Sequence, residues 1–179
     1  MTIDNQIPNL QDLSFIAYLT EDGNLDETWQ GKIGVYAIFD QEKNLQWVAY
    51  SRDIYVSLKQ NLVRKPQSCY WLKVQTIEKP NRTILENIRQ QWINEHGSLA
   101  SANGEAEKAW TDPIDTKLTM TEDEKNTYLQ TDELGQVKLL KTIARRVETE
   151  ILEQLKQRGV NVEIRFNPKL KEKGLLDLK

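Results

Sequence analysis

The sequence predicts a small mixed α/β (α+β) domain: three antiparallel strands flanked by helices, extended by a long C-terminal amphipathic helix and one further strand. Three observations predict it. Residues 32–39 and 45–50 are apolar runs of strand length separated by the polar turn Asp40–Asn44. Residues 82–95 repeat apolar side chains at helical spacing behind a Pro80-Asn81 start signal. Residues 134–158 carry Val137, Leu140, Ile143, Ala144, Val147, Ile151 and Leu155 at intervals of three and four, the longest periodic segment in the chain.

In chain order, Leu10 to Leu19 has apolar residues at helical spacing and is expected to form a short helix, ended by Glu21-Asp22-Gly23-Asn24. Ile33, Val35, Ala37 and Phe39 alternate with Gly34, Tyr36 and Ile38, so both faces of this strand are largely apolar and it should lie centrally. Ser51 or Asp53 can cap a helix with Ile54, Leu58 and Leu62 on one face. Ser68–Ile77 is expected as a third strand. The helix 82–95 should bury Ile84, Leu85, Ile88 and Trp92 and close at Gly97. Ser98 to Asp115 is small, polar and nonperiodic, and reads as a loop. Thr121 with Glu124 fits a capping box opening a short helix. After Gly159, the alternation Val160, Val162, Ile164, Phe166 predicts a half-buried strand, and residues 169–179 are expected to be loosely held. The domain plan is therefore a helical extension over 1–31, a core over 32–97, a polar linker over 98–120, and a C-terminal helix and strand over 121–179 that pack on the core.

Composition narrows the function classes. With 179 residues, 39% hydrophobic and 28% charged, the chain has the profile of a soluble globular domain. It has no apolar run near the roughly 20 residues a membrane helix needs. The polar N-terminus lacks a signal-peptide pattern, and the expected location is the cytoplasm. Cys69 is the single cysteine and His96 the single histidine, which excludes an internal disulfide and any multi-cysteine metal site. Net charge is −3 but uneven: residues 101–136 carry 3 basic and 9 acidic side chains, residues 137–179 carry 11 and 6. The basic tail is a candidate phosphate contact, and equally a partner for the acidic middle.

One constellation carries a family resemblance. Gly34-Val35-Tyr36 on the first long strand, Trp47-Val48-Ala49 on the second, the entry Tyr50-Ser51-Arg52-Asp53-Ile54 into the following helix, and Ile84-Leu85-Glu86-Asn87 on the later helix resemble the GIY-YIG nuclease core in order and spacing. The resemblance covers about Ile33 to Gly97. It implies a GIY-YIG-like sheet, with Glu86 as ligand for a divalent metal (Mg²⁺ or Mn²⁺), Tyr36 near the metal-bound water, and an arginine on the first helix to balance phosphate charge. The set departs from the family. Trp47 stands where the second tyrosine would be, Ala49 where the glycine would be, and Ser57 where the arginine would be, leaving Arg52 and Arg64 as substitutes. Trp47, Tyr50 and Ser57 are then binding rather than catalytic candidates. The expectation is a catalytically impaired GIY-YIG-like domain acting as a binding or assembly factor with a protein partner and no resident cofactor. Two alternatives stay open: a working metal-dependent endonuclease on structured DNA, and an unrelated domain whose function the sequence does not disclose.

Overall fold

A computed structural model describes residues 7–97, 99 and 104–179; the remainder of the expected N-terminal extension and linker lies outside them. The chain divides into two compact units, Met1–Trp110 and Thr111–Lys179.

In the first unit, strands β1 (Ile16–Ala17), β2 (Ile33–Phe39), β3 (Leu45–Ser51) and β4 (Trp71–Ile77) form one antiparallel sheet in the order β1-β4-β2-β3. The expected mixed α/β class with an antiparallel sheet is therefore found, with a fourth strand added. That strand comes from Leu10 to Leu19, where helical spacing misled. Only a 3-10 turn, Leu10–Asp12, forms there, and Ile16 and Ala17 pair with Leu72 and Trp71. A free edge on β4 outweighs a ten-residue helix that is too short to stand alone. β2 is central, as its two-sided apolar pattern requires: six of its seven residues are buried. Gly34 is fixed by close approach, since a Cβ there would lie 2.3 Å from the Gln75 carbonyl oxygen.

Helix α1 (Ile54–Arg64) starts where the Asp53 side chain accepts from the Val56 amide. It packs on the sheet through Ile54, Leu58 and Leu62. Helix α2 (Arg82–His96), capped by Asn81, packs on β2 and β3 through Leu85, Ile88, Trp92 and Ile93, which join Val35, Ala37, Phe39 and Val48 in one apolar cluster. Residue alternation along β2 assigns its faces: Val35, Ala37 and Phe39 look to α2, while Tyr36 looks to α1, where its hydroxyl meets Asn61. Helix α3 (Gly104–Thr111) occupies part of the stretch read as loop. Glu105, Ala106, Glu107, Lys108 and Ala109 are good helix formers, and eight residues are too few to show periodicity.

In the second unit, helix α4 (Glu122–Gln130) opens with the expected capping box, Thr121 and Glu124 each bonding the other's backbone amide. Helix α5 (Glu133–Gln157) is the long amphipathic helix. Its buried stripe of Leu140, Ile143, Ala144, Val147, Ile151 and Leu155 packs within the unit, where α5 touches the turn Thr116–Thr119, α4, helix α6 (Pro168–Lys171) and strand β6 (Leu175–Leu176). β6 pairs with β5 (Ile114–Asp115). The expected strand over 160–166 does not form. Its alternation survives as half-buried against exposed residues, but only Phe166 finds a bridge partner, Leu178. The tail expected to be loose is held instead, with Leu176 fully buried and the Thr116 hydroxyl donating to the Gly174 carbonyl at 2.7 Å.

Candidate functional site

The α1 side of the sheet carries a buried knot of polar and aromatic groups. Tyr36 is 3% exposed, and its hydroxyl donates to Asn61 Oδ1 at 2.9 Å. Asn61 Nδ2 in turn donates to the Trp110 carbonyl at 3.2 Å, and Arg64 Nη1 donates to that same oxygen at 2.9 Å. The indoles of Trp47 and Trp110 stack at 5.6 Å between centroids and 4° between planes, and the Lys65 ammonium lies 5.7 Å from the centre of the Trp110 ring. Burial pushes the Tyr36 phenol up to about 12, against opposing hydrogen bonds from Ser57 and Trp47. A phenol held so firmly neutral is a hydrogen-bonding group, not a proton acceptor at ordinary pH. Cys69 closes the knot from beneath, fully buried, with Sγ donating to the Asn61 carbonyl at 3.6 Å.

Of the residues singled out from sequence, the fold brings together Tyr36, Trp47, Ser57 and Arg64. Ser57 also donates to Ser51 Oγ at 2.7 Å. Tyr50 turns the other way and packs on the α2-side cluster. Arg52 is exposed just before α1. Glu86 rides on α2, across the sheet from the Tyr36 hydroxyl, with its side chain 45% exposed and ion-paired to Arg89 at 3.1 Å. Arg89 is anchored in turn by donating from Nε to the Val48 carbonyl at 3.2 Å. Among the described residues, no group of three or more His, Cys, Asp or Glu is placed to hold a metal ion. None of their helices is long and apolar enough to cross a membrane.

Sequence reasoning missed Asn61 and Trp110. Each left a signal: an amide among the apolar positions of α1, and a lone tryptophan in a polar run. A separate open groove of about 700 Å³, lined by Ile7, Asn9, Asn87, Gln90, Gln91, Asn94 and Glu95, shares no residue with the knot. Several of its polar groups are already engaged: Gln91 with the Ile7 carbonyl, Gln90 with Asn94, and Glu95 with the Leu10 and Gln11 amides.

No family model matches the chain. The chain is similar to the bifunctional monothiol glutaredoxin-S16, chloroplastic, of Arabidopsis thaliana, with 38% identity over 63 residues, 35% of this chain and 22% of that protein. The chain thus spans about a fifth of that relative's length. This finding corrects the GIY-YIG resemblance, and with it the readings of an impaired nuclease-like factor and of a metal-dependent endonuclease, because the relative bears the name of a glutaredoxin rather than a nuclease. The motif's residues have ordinary physical explanations: Gly34 clears the Gln75 backbone, Tyr36 and Trp47 fill the knot, and Glu86 pairs with Arg89 on the opposite side of the sheet.

Proposed function

We propose that this chain is a protein-binding accessory domain that works in a redox-related setting without supplying a reactive thiol itself. The observation that carries the reading is Cys69: it is the sole cysteine, it is fully buried, and its sulfur is engaged by a backbone carbonyl. Thiol–disulfide exchange needs an accessible thiolate, and burial in apolar surroundings favours the inert thiol. A cluster held by several thiolates does not fit one such residue. The redox connection comes from the relative's name, and because that protein is called bifunctional, a segment matching 22% of it need not carry the thiol function.

A protein partner is favoured over a nucleic acid by the state of the basic segment. Arg146 is clamped by Glu124 at 2.9 Å, Lys141 pairs with Glu172 at 3.4 Å, and Lys171 and Arg165 pair with Glu148 and Glu163. With these four of the segment's eleven basic side chains paired within their own unit, the phosphate footprint is weaker than the sequence count implies. In this reading the first unit carries the binding, on the side of the sheet where Trp47, Ser57 and Arg64 gather beside Tyr36; Tyr50, Arg52 and Glu86 have no part in it. A cytoplasmic location belongs to the proposal, although the relative is chloroplastic by name; imaging of the tagged chain in its own cells decides it.

A glutathione-coupled disulfide reduction assay tests the thiol half. The expected result is a rate at background, unchanged in Cys69→Ser. A rate well above background that disappears in Cys69→Ser would contradict it.

A further inference from the structure

We infer that the corner between α4 and α5 is a docking surface for a basic segment of a partner protein that brings apolar anchors of its own. The surface belongs to the second unit, so it goes beyond the first-unit reading above and does not rest on it.

None of the residues of α4, Glu122–Gln130, is buried, yet the helix is firmly held. Its capping box closes the start, Arg146 Nη1 donates to both Glu124 carboxylate oxygens at 3.0 and 2.9 Å, and Gln136 Nε2 donates to the Tyr128 carbonyl at 2.9 Å. The turn into α5 is fixed as well. Asp132 Oδ1 accepts from the Gly135 amide at 2.8 Å, and a Cβ on Gly135 would lie 1.9 Å from Thr131 Oγ1. The corner is therefore rigid, although α4 adds no buried side chain to the core.

A helix with no buried stripe is ordinarily polar all round. This corner instead turns leucines outward. Leu129 on the last turn of α4 is 79% exposed, and Leu134 on the first turn of α5 is 63% exposed. The Gln136 bond to Tyr128 ties those two turns together. Leu118 is 84% exposed in the turn Thr116–Thr119, which Arg146 Nη2 joins to the start of α4 by donating to the Thr119 carbonyl at 3.3 Å. These are the three most exposed large apolar side chains among the described residues; the next, Val56, reaches 48%. Apolar side chains gathered at one place and rimmed by polar ones mark an interaction surface.

Charge selects the class of partner. Residues 118–134 hold five carboxylates and one ammonium, Lys125, and basic residues resume only at Lys138. Glu124 is answered by Arg146, and Glu122 by Lys125 at 3.2 Å. Asp123, Asp132 and Glu133 have no ion-pair partner among the described residues, and Asp132 and Glu133 directly precede Leu134. A segment that covers Leu129 and Leu134 therefore meets uncompensated negative charge. Lysine or arginine beside its apolar anchors is attracted there, while an acidic segment or a phosphate backbone is repelled.

The test uses the full chain and a fluorescein-labelled amphipathic peptide of lysine and leucine, its leucines at helical spacing, read by anisotropy. Saturable binding is expected. It should weaken at least about tenfold in Leu129→Ser/Leu134→Ser and in Asp123→Lys/Glu133→Lys, because each pair removes one half of the recognition. The same peptide with glutamate in place of lysine should not bind. Absence of saturable binding, or equal binding to the wild type and to either folded variant, overturns the inference. All four side chains are exposed, so circular dichroism of both variants should match the wild type. If a double variant fails to fold, its single substitutions replace it, and failure of Leu129→Ser and Leu134→Ser to fold shows that these leucines are core and overturns the surface. A wild-type dimer in sedimentation that is lost in the leucine variant would make a second copy the occupant, and would overturn the assignment to a separate partner. Because Cys69 and the first-unit residues are untouched in these variants, failure here leaves the earlier reading standing.

Discussion

The two sides of the central sheet are built on different principles. On the α2 side, Val35, Ala37, Phe39, Val48, Leu85, Ile88 and Trp92 form an apolar cluster, where stability comes from area removed from water. On the α1 side, alongside Leu58 and Leu62, the fold buries a phenol on an amide, and that amide and a half-buried guanidinium share one carbonyl. Buried polar groups cost free energy unless every partner is in place, so that side is specified by its hydrogen bonds as well as by shape. The difference teaches how each side is specified: the polar side by the geometry of its hydrogen bonds, the dry side by the volume its apolar side chains fill.

Trp92→Ala breaks the dry side and should have the largest effect, a loss of about 3–5 kcal/mol in chemical denaturation. The indole is fully buried and also donates to the Pro8 carbonyl at 3.0 Å. A loss below about 1 kcal/mol would mean that this cluster is not the unit's main core. Tyr36→Phe breaks the polar side without opening a cavity. It leaves Asn61 Oδ1 short of a donor and should cost about 1–3 kcal/mol. An unchanged midpoint would show that the knot is not a working network.

Alkaline titration sharpens the same contrast. Tyr36 titrates near 12 in the folded chain against an ordinary 10.0, so the unfolded chain releases this proton first. The stabilisation is whole below about pH 10 and is lost as pH rises from there towards 12. Absorbance at the phenolate band should show one late-titrating tyrosine that is absent from Tyr36→Phe; simultaneous titration of all tyrosines would contradict the burial. Glu86→Ala should have the smallest effect, about 0.3–0.5 kcal/mol, because it removes only a half-exposed helix pair. A loss of several kcal/mol would give Glu86 a structural role that the ion pair does not explain.

Legibility in the sequence follows the same division. The two-sided apolar pattern of β2 and the helical periods of α2 and α5 are repeating signals and the capping box at Thr121 is a fixed four-residue one, so all four are legible from residue spacing, although in α2 Ile93 is buried and the expected Ile84 only half-buried. The knot has no repeat. It is assembled from β2, β3, α1 and α3, and its two missed members, Asn61 and Trp110, are 49 positions apart. The sequence marks Tyr36 and Arg64 as catalytic candidates and Trp47 and Ser57 as binding candidates, and the fold gathers all four around a neutral phenol. Short edge strands were equally hidden: Ile16–Ala17 is defined by its neighbour β4, not by its own pattern.

The thiol count of the native chain tests the central claim most directly. Ellman's reagent should find no reactive sulfhydryl in the folded protein and one per chain after denaturation in guanidinium, because Cys69 is sealed under Asn61. Rapid reaction of one equivalent with the folded protein would contradict the account.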